Sequence, residues 1–426
     1  MLIKNAKIAT PGGIVSGEML IEGEKIAAVG KSVKARGEEK LNLRGKLVLP
    51  GMVDIHVHMR DFSERSKEDL TTGSRAAIAG GVTTFFEMPN TRPAITSASV
   101  YRRRLALASR RSLADFGIYF GVTAENLPEL KKFSPPACKL YLDGTLGEVG
   151  YSTLEEALRL ASFLAVHAED AATIQRNLKR LRGGEDDCTL HARVRSPEAE
   201  AVAVAKAAGI AARVKRMVHI CHISTAKALR HLNEYTTCEA TPHHLFLTEK
   251  ALREQGSYAK TNPPLRSASD VAALWQALGS GKITCIASDH APHTLADKGS
   301  SALEAAAGIP NLDLMLPLLL TAMSKGKLSI QRLIKLCCSA PSRLMGLEHK
   351  GAIAPGKDAD LVVVNLRREQ VVSAEEFHSK AKYTPFEGWK LRGAVERVFL
   401  RGELVYQEED FLIKPGFGKP ALPLPP

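Results

Sequence analysis

The most constraining feature of this sequence is a polar side chain that recurs where one apolar strand candidate after another ends. Eight such candidates, separated by stretches with helical spacing, are VDIHVH (53–58), VTTFFEMPN (82–90), FGIYFGVT (116–123), CKLYLD (138–143), FLAVHAE (163–169), MVHICHIS (217–224), TTCEATPHH (236–244) and KITCIASDH (282–290). Eight β/α units fit a (β/α)8 barrel, an α/β fold in which functional residues gather at the carboxyl ends of the strands. A doubly wound sheet is the alternative, but it gives no reason for polar residues at so many strand ends.

The two ends of the chain differ in pattern from the middle. Residues 1–48 and 351–406 consist of short strand candidates separated by Gly turns. This pattern predicts one small β-domain assembled from both termini. We expect residues 1–50 and 346–426 to form this domain with a C-terminal extension, and residues 51–345 to form the barrel. The tail KPGFGKPALPLPP is expected to be extended, and packing against the barrel or disorder is preferred over a role as a PxxP ligand.

The composition excludes several classes of protein. The net charge is +12, with basic clusters at 101–111, 176–182 and 213–216, but no aromatic interleaving accompanies them, so solvated helix faces are preferred over nucleic-acid binding. The longest apolar run, LMLPLLLTAM, is too short to cross a membrane. The start of the chain lacks the apolar region of a secretory signal, and seven scattered cysteines indicate reduced thiols, so we expect a cytoplasmic protein.

The run VDIHVHMRDF carries His56, His58 and Arg60 at alternate positions. If the strand continues through them, all three point to one face, where two imidazoles and a guanidinium need a ligand, metal or ion pair. Imidazoles and carboxylates are the ligands expected for zinc or a similar metal. The remaining candidates at strand ends are His167, His222 and Asp289.

These four histidines and one aspartate are too many for a single tetrahedral site that also holds water, and they suit two metals bridged by an anion. Lys139, inside CKLYLD, is the exception, since an ammonium group repels metals. It fits only if the amine is deprotonated or converted to an anion such as a carbamate.

Nine motifs together resemble the dihydroorotases of the amidohydrolase superfamily, and most closely the type with a carboxylated lysine. They run in order along nearly the whole chain: HVHMR, EMPNTRP, CKLYLDGT, VHAED, HICHIS, CEATPHHLFLT, TNPPLR, ASDHAPHT and KYTPFEGWKLRG. Hydantoinases and allantoinases share the same metal-ligand set. The ligands alone therefore indicate only the superfamily.

The resemblance implies two zinc ions per subunit, with a third possible. His56, His58 and Asp289 would bind the more buried zinc, and His167 and His222 the more exposed one. Lys139, as N6-carboxylysine, would bridge them. The implied reaction is the reversible cyclisation of N-carbamoyl-L-aspartate to L-dihydroorotate in pyrimidine biosynthesis. In the hydrolytic direction, Asp289 would accept a proton from the attacking water and pass it to the leaving ring nitrogen.

The resemblance also implies which residues recognise the substrate. Arg60, Asn90 and His293 would hold the substrate carboxylate, with the metal ligand His58 beside them, and Asn262, Ala307 and Gly308 would contact the ring. An arginine aimed at a carboxylate favours dihydroorotase over amidases of neutral rings.

Two further assignments are implied by the same resemblance. Thr145 matches a threonine on a loop that closes over substrate, although an ordinary loop hydroxyl fits the sequence as well. Cys221 and Glu239 match positions that can hold the extra zinc beside His222. The competing interpretation, slightly preferred, is a buried thiol and a carboxylate that orients a metal ligand.

Two alternatives stay open from the sequence. One is a hydantoinase- or allantoinase-like cyclic amidase. The other is an inactive relative that serves as an assembly scaffold, although such proteins lose metal ligands and this chain has all six. Association with aspartate transcarbamoylase, and a monomer or a dimer, are equally open.

Overall fold

The computed structural model describes residues 1–35, 37–181, 188–299 and 304–422. All eight predicted strands are present within these ranges, and we number them in chain order as barrel strands 1 to 8. Their bounds are Met52–Val57, Val82–Glu87, Asp115–Ile118 with its continuation Phe120–Gly121, Cys138–Tyr141, Leu164–His167, Val218–Ile220, Thr236–Ala240 and Cys285–Ile286.

The strands close into a barrel. Each strand pairs in parallel with its neighbour in sequence, in one sheet from strand 1 to strand 3 and in another from the continuation of strand 3 to strand 8. A parallel bridge between Val57 and His290 joins the last strand to the first, and the amide of His58 donates to the carbonyl of His290 at 2.8 Å. The predicted α/β barrel is confirmed.

Several strands are shorter than the sequence predicts. Strand 1 ends at Val57, strand 6 at Ile220 and strand 8 at Ile286, so the polar residues that follow them lie beyond the strands. Arg60 (φ 53°), His222 (φ 36°) and Asp289 (φ 45°) have left-handed backbone, which is uncommon for residues with a Cβ. Arg60 thus lies where the strand has given way to the loop, and a local turn, rather than strand alternation, places its side chain in the same pocket as His56 and His58.

The connecting segments contain the predicted helices. Their bounds are Leu70–Ala79, Ala98–Arg111, Leu127–Phe133, Tyr151–Leu160, Ala171–Leu181, Cys188–Val194, Pro197–Val214, Ala226–Leu229, Pro242–Phe246, Glu249–Gln255, Ala268–Ser280, Leu295–Lys298, Met315–Ser324, Ile330–Ile334 and Ala340–Leu344. The sequence contains their end signals. Asp69 accepts the amides of Thr71 and Thr72, and Ser196 caps the helix that begins with Pro197.

Short turns of other helix types complete the connections. They are the 3-10 turns Phe62–Glu64, Gly256–Ala259, Leu312–Leu314 and Ala374–Glu376, and the π-helical turn Lys335–Ser339. The longest apolar run forms the buried helix Met315–Ser324. Within the described ranges, no helix is long and apolar enough to cross a membrane. All seven cysteines are buried, and none of them is in a disulfide.

A nine-stranded sheet combines the two ends of the chain, as predicted. Its strands are Leu2–Thr10, Gly13–Glu22, Lys25–Gly30, Lys40–Asn42, Leu47–Pro50, Leu361–Val371, Lys390–Leu400, Glu403–Gln407 and Asp410–Phe411. The strand Leu47–Pro50 joins the two ends, because it pairs in parallel with Leu2–Thr10 and antiparallel with Leu361–Val371. This arrangement supports the domain division at residues 50 and 345, which we retain as a proposal.

A buried ionic cluster ties this sheet to the barrel. The ammonium of Lys350 lies 2.8 Å from Asp115 at the start of barrel strand 3, and 2.7 Å from Asp360 beside the sheet. The tail also packs here, since the amide of Lys419 donates to Asp115 at 2.8 Å and Phe116 bridges to Pro420. The interpretation of the tail as packed against the barrel therefore applies up to residue 422, and 423–426 lie outside the described residues.

Candidate metal centre and substrate pocket

One pocket at the carboxyl end of the barrel contains most of the predicted site residues. Its lining residues are His56, His58, Arg60, Asn90, Tyr141, Asp143, Thr145, His167, His222, Thr261, Asn262, Asp289, Ala291, His293, Ala307 and Gly308. Three of the predicted residues, Lys139, Cys221 and Glu239, are buried and are not part of this lining. The segment 294–307 next to the pocket includes residues 300–303, which lie outside the described residues.

The first candidate metal position lies between the two histidines of HVH and Asp289. The Nε2 atoms of His56 and His58 lie 3.3 Å and 3.1 Å from Asp289 Oδ1. The other ring nitrogen of each histidine is engaged, because His58 Nδ1 donates to Asn90 Oδ1 at 2.7 Å and His56 Nδ1 donates to Glu239. Both rings therefore direct Nε2, the ring nitrogen left for a metal, at the carboxylate.

The second candidate position lies between His167 and His222. His167 Nδ1 is 3.0 Å from His222 Nε2, and His167 Nε2 donates to Glu169 Oε2 at 2.8 Å. The Nδ1 atom of His222 is buried and has no hydrogen-bond partner among the described residues. The two positions are adjacent, since the ring centroids of His56 and His222 lie 5.2 Å apart.

Lys139 is fully buried, and its amine has one hydrogen-bond partner within the described ranges, the thiol of Cys221 at 2.7 Å. No carboxylate among the described residues forms an ion pair with this amine. The amine is therefore buried beside a thiol and has no carboxylate to pair with among those residues.

Cys221 and Glu239 form a second cluster with His56. One ligand atom from each of these three residues lies within 4.8 Å of the other two. His222 adjoins this cluster through its backbone amide, which donates to Glu239 at 3.2 Å, and the extra metal site stays a prediction. Glu239 accepts from both His56 and His219, the latter at 3.1 Å. The carboxylate thus already has the partners of an orienting group.

Burial and nearby charge shift the pKa values of these groups. Burial lowers the pKa of His58 to about 4 and places that of His222 well below its ordinary value. Burial is also the largest single effect on His56, but the negative groups around it, led by Glu239 and then Asp289, together outweigh burial and raise the pKa to about 10. Burial likewise acts most strongly on Asp289, but His56 and His58 together outweigh it and keep the pKa of that carboxyl well below its ordinary value.

Arg60, Asn90 and His293, which the resemblance assigns to the substrate carboxylate, line the same pocket. Arg60 is 7% exposed, its Nε donates to the carbonyl of Pro292 at 3.1 Å, and its Nη2 lies 3.0 Å from His293 Nε2. Among the described residues, Nη1 has no partner. Asn90 uses its oxygen for His58, which leaves its amide nitrogen for a ligand.

Asn262, Ala307 and Gly308, which the resemblance assigns to the substrate ring, also line this pocket. Asn262 Oδ1 is buried without a partner among the described residues, which is the condition of a group that awaits a ligand. A Cβ on Gly308 would lie 2.3 Å from the carbonyl oxygen of Ala291, so only glycine fits at this point. The Gly308 carbonyl accepts from Lys298 at 2.9 Å and from Tyr383 at 3.0 Å.

Sequence reasoning missed several residues of the site. Tyr141 and Asp143 line the pocket, and Glu169 orients His167. An alternating pattern could have identified them, because Tyr141 and Asp143 follow Lys139, and Glu169 follows His167, at intervals of two residues. Arg195, which donates to both Asp143 and Glu169, lies far from any quoted motif in the sequence and gave no comparable signal.

The barrel, the nine-stranded β-sheet and the histidine-rich pocket together define the class of protein. The chain belongs to the amidohydrolase family, whose model matches residues 47–405. The resemblance predicted from the motifs is confirmed. Two archaeal relatives of similar sequence are dihydroorotases. The chain is 37% identical over 402 residues to the dihydroorotase of Methanothermobacter thermautotrophicus, covering 92% of this chain and 91% of the relative. It is 36% identical over 420 residues to the dihydroorotase of Pyrococcus abyssi, covering 97% of each.

Solved structures with the same architecture are cyclic amidases. The L-hydantoinase (dihydropyrimidinase) from Arthrobacter aurescens superposes with a TM-score of 0.95 at 29% identity, over 99% of each chain. The dihydropyrimidinase from Brevibacillus agri superposes with a TM-score of 0.91 at 26% identity, over 100% of this chain and 99% of that one.

Proposed function

We propose that this protein is a metal-dependent dihydroorotase, which interconverts N-carbamoyl-L-aspartate and L-dihydroorotate in pyrimidine biosynthesis. The observation that carries the proposal is Arg60, which lines the pocket with the candidate metal ligands and whose Nη1 has no hydrogen-bond partner in the part of the chain that the structure describes. A ring that bears a carboxylate satisfies this guanidinium, whereas a neutral ring leaves it unpaired. The dihydroorotases of similar sequence support the same choice.

The donor set fits two zinc ions. We propose His56, His58 and Asp289 as ligands of one ion, because two ring nitrogens and a carboxylate converge there. We propose His167 and His222 as ligands of the other, because a ring nitrogen of each lies within 3.0 Å of the other. Zinc bound at these positions supplies Lewis acidity toward the ring amide and lowers the pKa of water in the site. A third ion at Cys221 and Glu239 is less well supported, since Glu239 already accepts two hydrogen bonds from histidines.

Lys139 is proposed as the bridge between the two ions in the form of N6-carboxylysine. The neutral amine attacks carbon dioxide, a carbon–nitrogen bond forms, and one proton leaves to give the carbamate anion. The observation that supports this assignment is that Lys139 is buried and forms no ion pair with a carboxylate among the described residues. The product carries the negative charge that two adjacent cations require.

Proton transfer and substrate binding are assigned to other residues of the chain. Asp289 is proposed to accept the proton of the attacking water and to deliver it to the ring nitrogen as the amide bond breaks. Arg60, Asn90 and His293 hold the substrate carboxylate, and Asn262 with the backbone at Ala307 and Gly308 holds the ring. Thr145 is proposed as a contact on the neighbouring loop.

A hydantoinase-like activity is the competing function, because cyclic amidases acting on neutral rings have the same architecture. The deciding experiment measures ring opening of L-dihydroorotate, dihydrouracil, hydantoin and allantoin by the purified protein, together with its zinc content. We expect turnover of dihydroorotate and two zinc ions per chain. Turnover of the neutral rings without turnover of dihydroorotate would refute the proposal, and absence of both zinc and turnover would favour an inactive scaffold.

Association with aspartate transcarbamoylase, and assembly as a monomer or a dimer, remain hypotheses. Light scattering during size-exclusion chromatography, with and without that enzyme, would test both.

A further inference from the structure

A largely buried guanidinium links the second metal position to the pocket wall. Arg195 lies between the helices Cys188–Val194 and Pro197–Val214, with a side chain that is 13% exposed. Its Nη2 donates to Asp143 Oδ2 at 2.6 Å, and its Nη1 donates to Glu169 Oε2. One rigid fork therefore holds two carboxylates that come from different parts of the barrel rim.

The Glu169 contact acts on a candidate metal ligand. Glu169 Oε2, the oxygen held by Arg195, also accepts from His167 Nε2 at 2.8 Å. This hydrogen bond fixes the proton of His167 on Nε2, so that Nδ1 is the nitrogen that faces His222. Without it, the ring is free to rotate or to change tautomer, and the second metal position loses a ligand in the correct orientation.

The Asp143 contact acts on the pocket wall. Asp143 Oδ1 accepts from the amide of Thr145 at 3.1 Å and from its hydroxyl at 2.7 Å. Asp143 and Thr145 both line the pocket, and Gly144 between them has left-handed backbone at φ 87°. Arg195 thereby fixes the start of the loop that follows barrel strand 4.

Arg195 is itself held in place. Its carbonyl accepts from Arg266 Nη1 at 2.7 Å, and Arg266 Nε donates to Ser224 at 3.0 Å. Nη2 of Arg266 lies 4.0 Å from Glu169, which adds positive charge on the same carboxylate.

We propose that Arg195 is a positioning residue that couples the orientation of the metal ligand His167 to the position of the substrate-pocket wall at Asp143–Thr145. This inference rests on the proposed function for its metal and its substrate. It assigns to Arg195 two separable effects, one on metal affinity through Glu169 and one on substrate affinity through Asp143.

The test separates the two effects with three variants of the full-length protein. Zinc affinity is measured by competition with a chromogenic chelator, and KM and kcat are measured with dihydroorotate. Glu169→Gln is expected to weaken zinc binding about 10–100-fold. Asp143→Ala is expected to raise KM about tenfold with zinc affinity changed less than threefold, as for a lost uniform-binding contact. Arg195→Met is expected to show both changes.

Two further variants control for folding. Arg401→Lys changes another buried arginine, paired with Asp115 beside the β-sheet, and is expected to alter neither zinc affinity nor KM. Arg195→Lys keeps the charge but not the two-armed fork, and is expected to remain impaired in at least one measurement if Arg195→Met does not fold.

The coupling is overturned if Arg195→Met, or Arg195→Lys in its place, retains wild-type zinc affinity and KM. It is also overturned if Glu169→Gln and Asp143→Ala give the same profile. Failure of the proposed function looks different, because the wild-type protein would then bind no zinc or turn over only neutral rings. In the latter case, KM for those rings and zinc affinity still decide the coupling.

Discussion

Replacement of Arg60 by methionine removes the guanidinium and keeps a side chain of similar length. The free Nη1 carries two N–H groups, and a hydrogen bond to a charged group contributes about 1.5–3 kcal/mol. The contacts are not additive, so we take about 3 kcal/mol for the carboxylate interaction, which corresponds to about a 10²-fold loss of kcat/KM at 1.36 kcal/mol per factor of ten. The loss should fall mainly on KM, because the carboxylate is bound in the ground state as well as in the transition state.

The assay compares two substrates that share a ring. Ring opening is followed for dihydroorotate and for dihydrouracil, which lacks the carboxylate. We expect Arg60→Met to lose about 10²-fold in kcat/KM with dihydroorotate and less than about threefold with dihydrouracil. Zinc content should remain that of the wild type, because Arg60 contacts Pro292 and His293 and no candidate metal ligand. An equal loss with both rings, or an unchanged KM for dihydroorotate, would refute the assigned role of Arg60.

The remaining predictions concern catalysis, metal binding and stability. Asp289→Asn should lower kcat about 10²–10⁴-fold, measured at saturating dihydroorotate, because it removes the proton acceptor; a change in KM alone would contradict this. Lys139→Met should abolish turnover and lower the zinc content measured by atomic absorption, whereas retention of two zinc ions would argue against a bridging carbamate. Arg104→Met should lower the free energy of unfolding by about 3–5 kcal/mol in a urea titration, because the fully buried Glu87 loses its ion-pair partner; a loss below about 1 kcal/mol would show that Glu87 is protonated. Burial lowers the pKa of Lys298 to about 7. The unfolded chain therefore binds more protons than the folded one between that value and 10.5, and the free energy of unfolding should rise with pH across this window in the wild type relative to Lys298→Met. Parallel pH profiles for the two proteins would contradict this assignment.

Much of the architecture could be predicted because its signals are local. Each barrel strand is a short run of apolar residues, and a polar residue near its end marks the rim, so eight strands and their order follow from the sequence. The strand ends could not be predicted to the residue. They depend on how far the pairing with neighbouring strands extends, and the paired registers of strands 6 and 8 end at Ile220 and Ile286. The backbone therefore turns into left-handed conformations at His222 and Asp289, and these turns aim the side chains.

The sequence by itself determined the inventory of the site: histidines, a lysine, an aspartate and an arginine at the ends of successive strands. The spacing also placed His56 and His58 together, because residues two apart in the chain cannot be far apart in space. Only the tertiary structure decided which nitrogen of each histidine faces the candidate metal positions. That choice depends on partners distant in sequence, such as Glu239, which is 183 residues from His56, and Glu169, which is held by Arg195 26 residues away. Contacts of this kind exist only once the barrel closes, because closure brings the ends of non-neighbouring strands within hydrogen-bond distance.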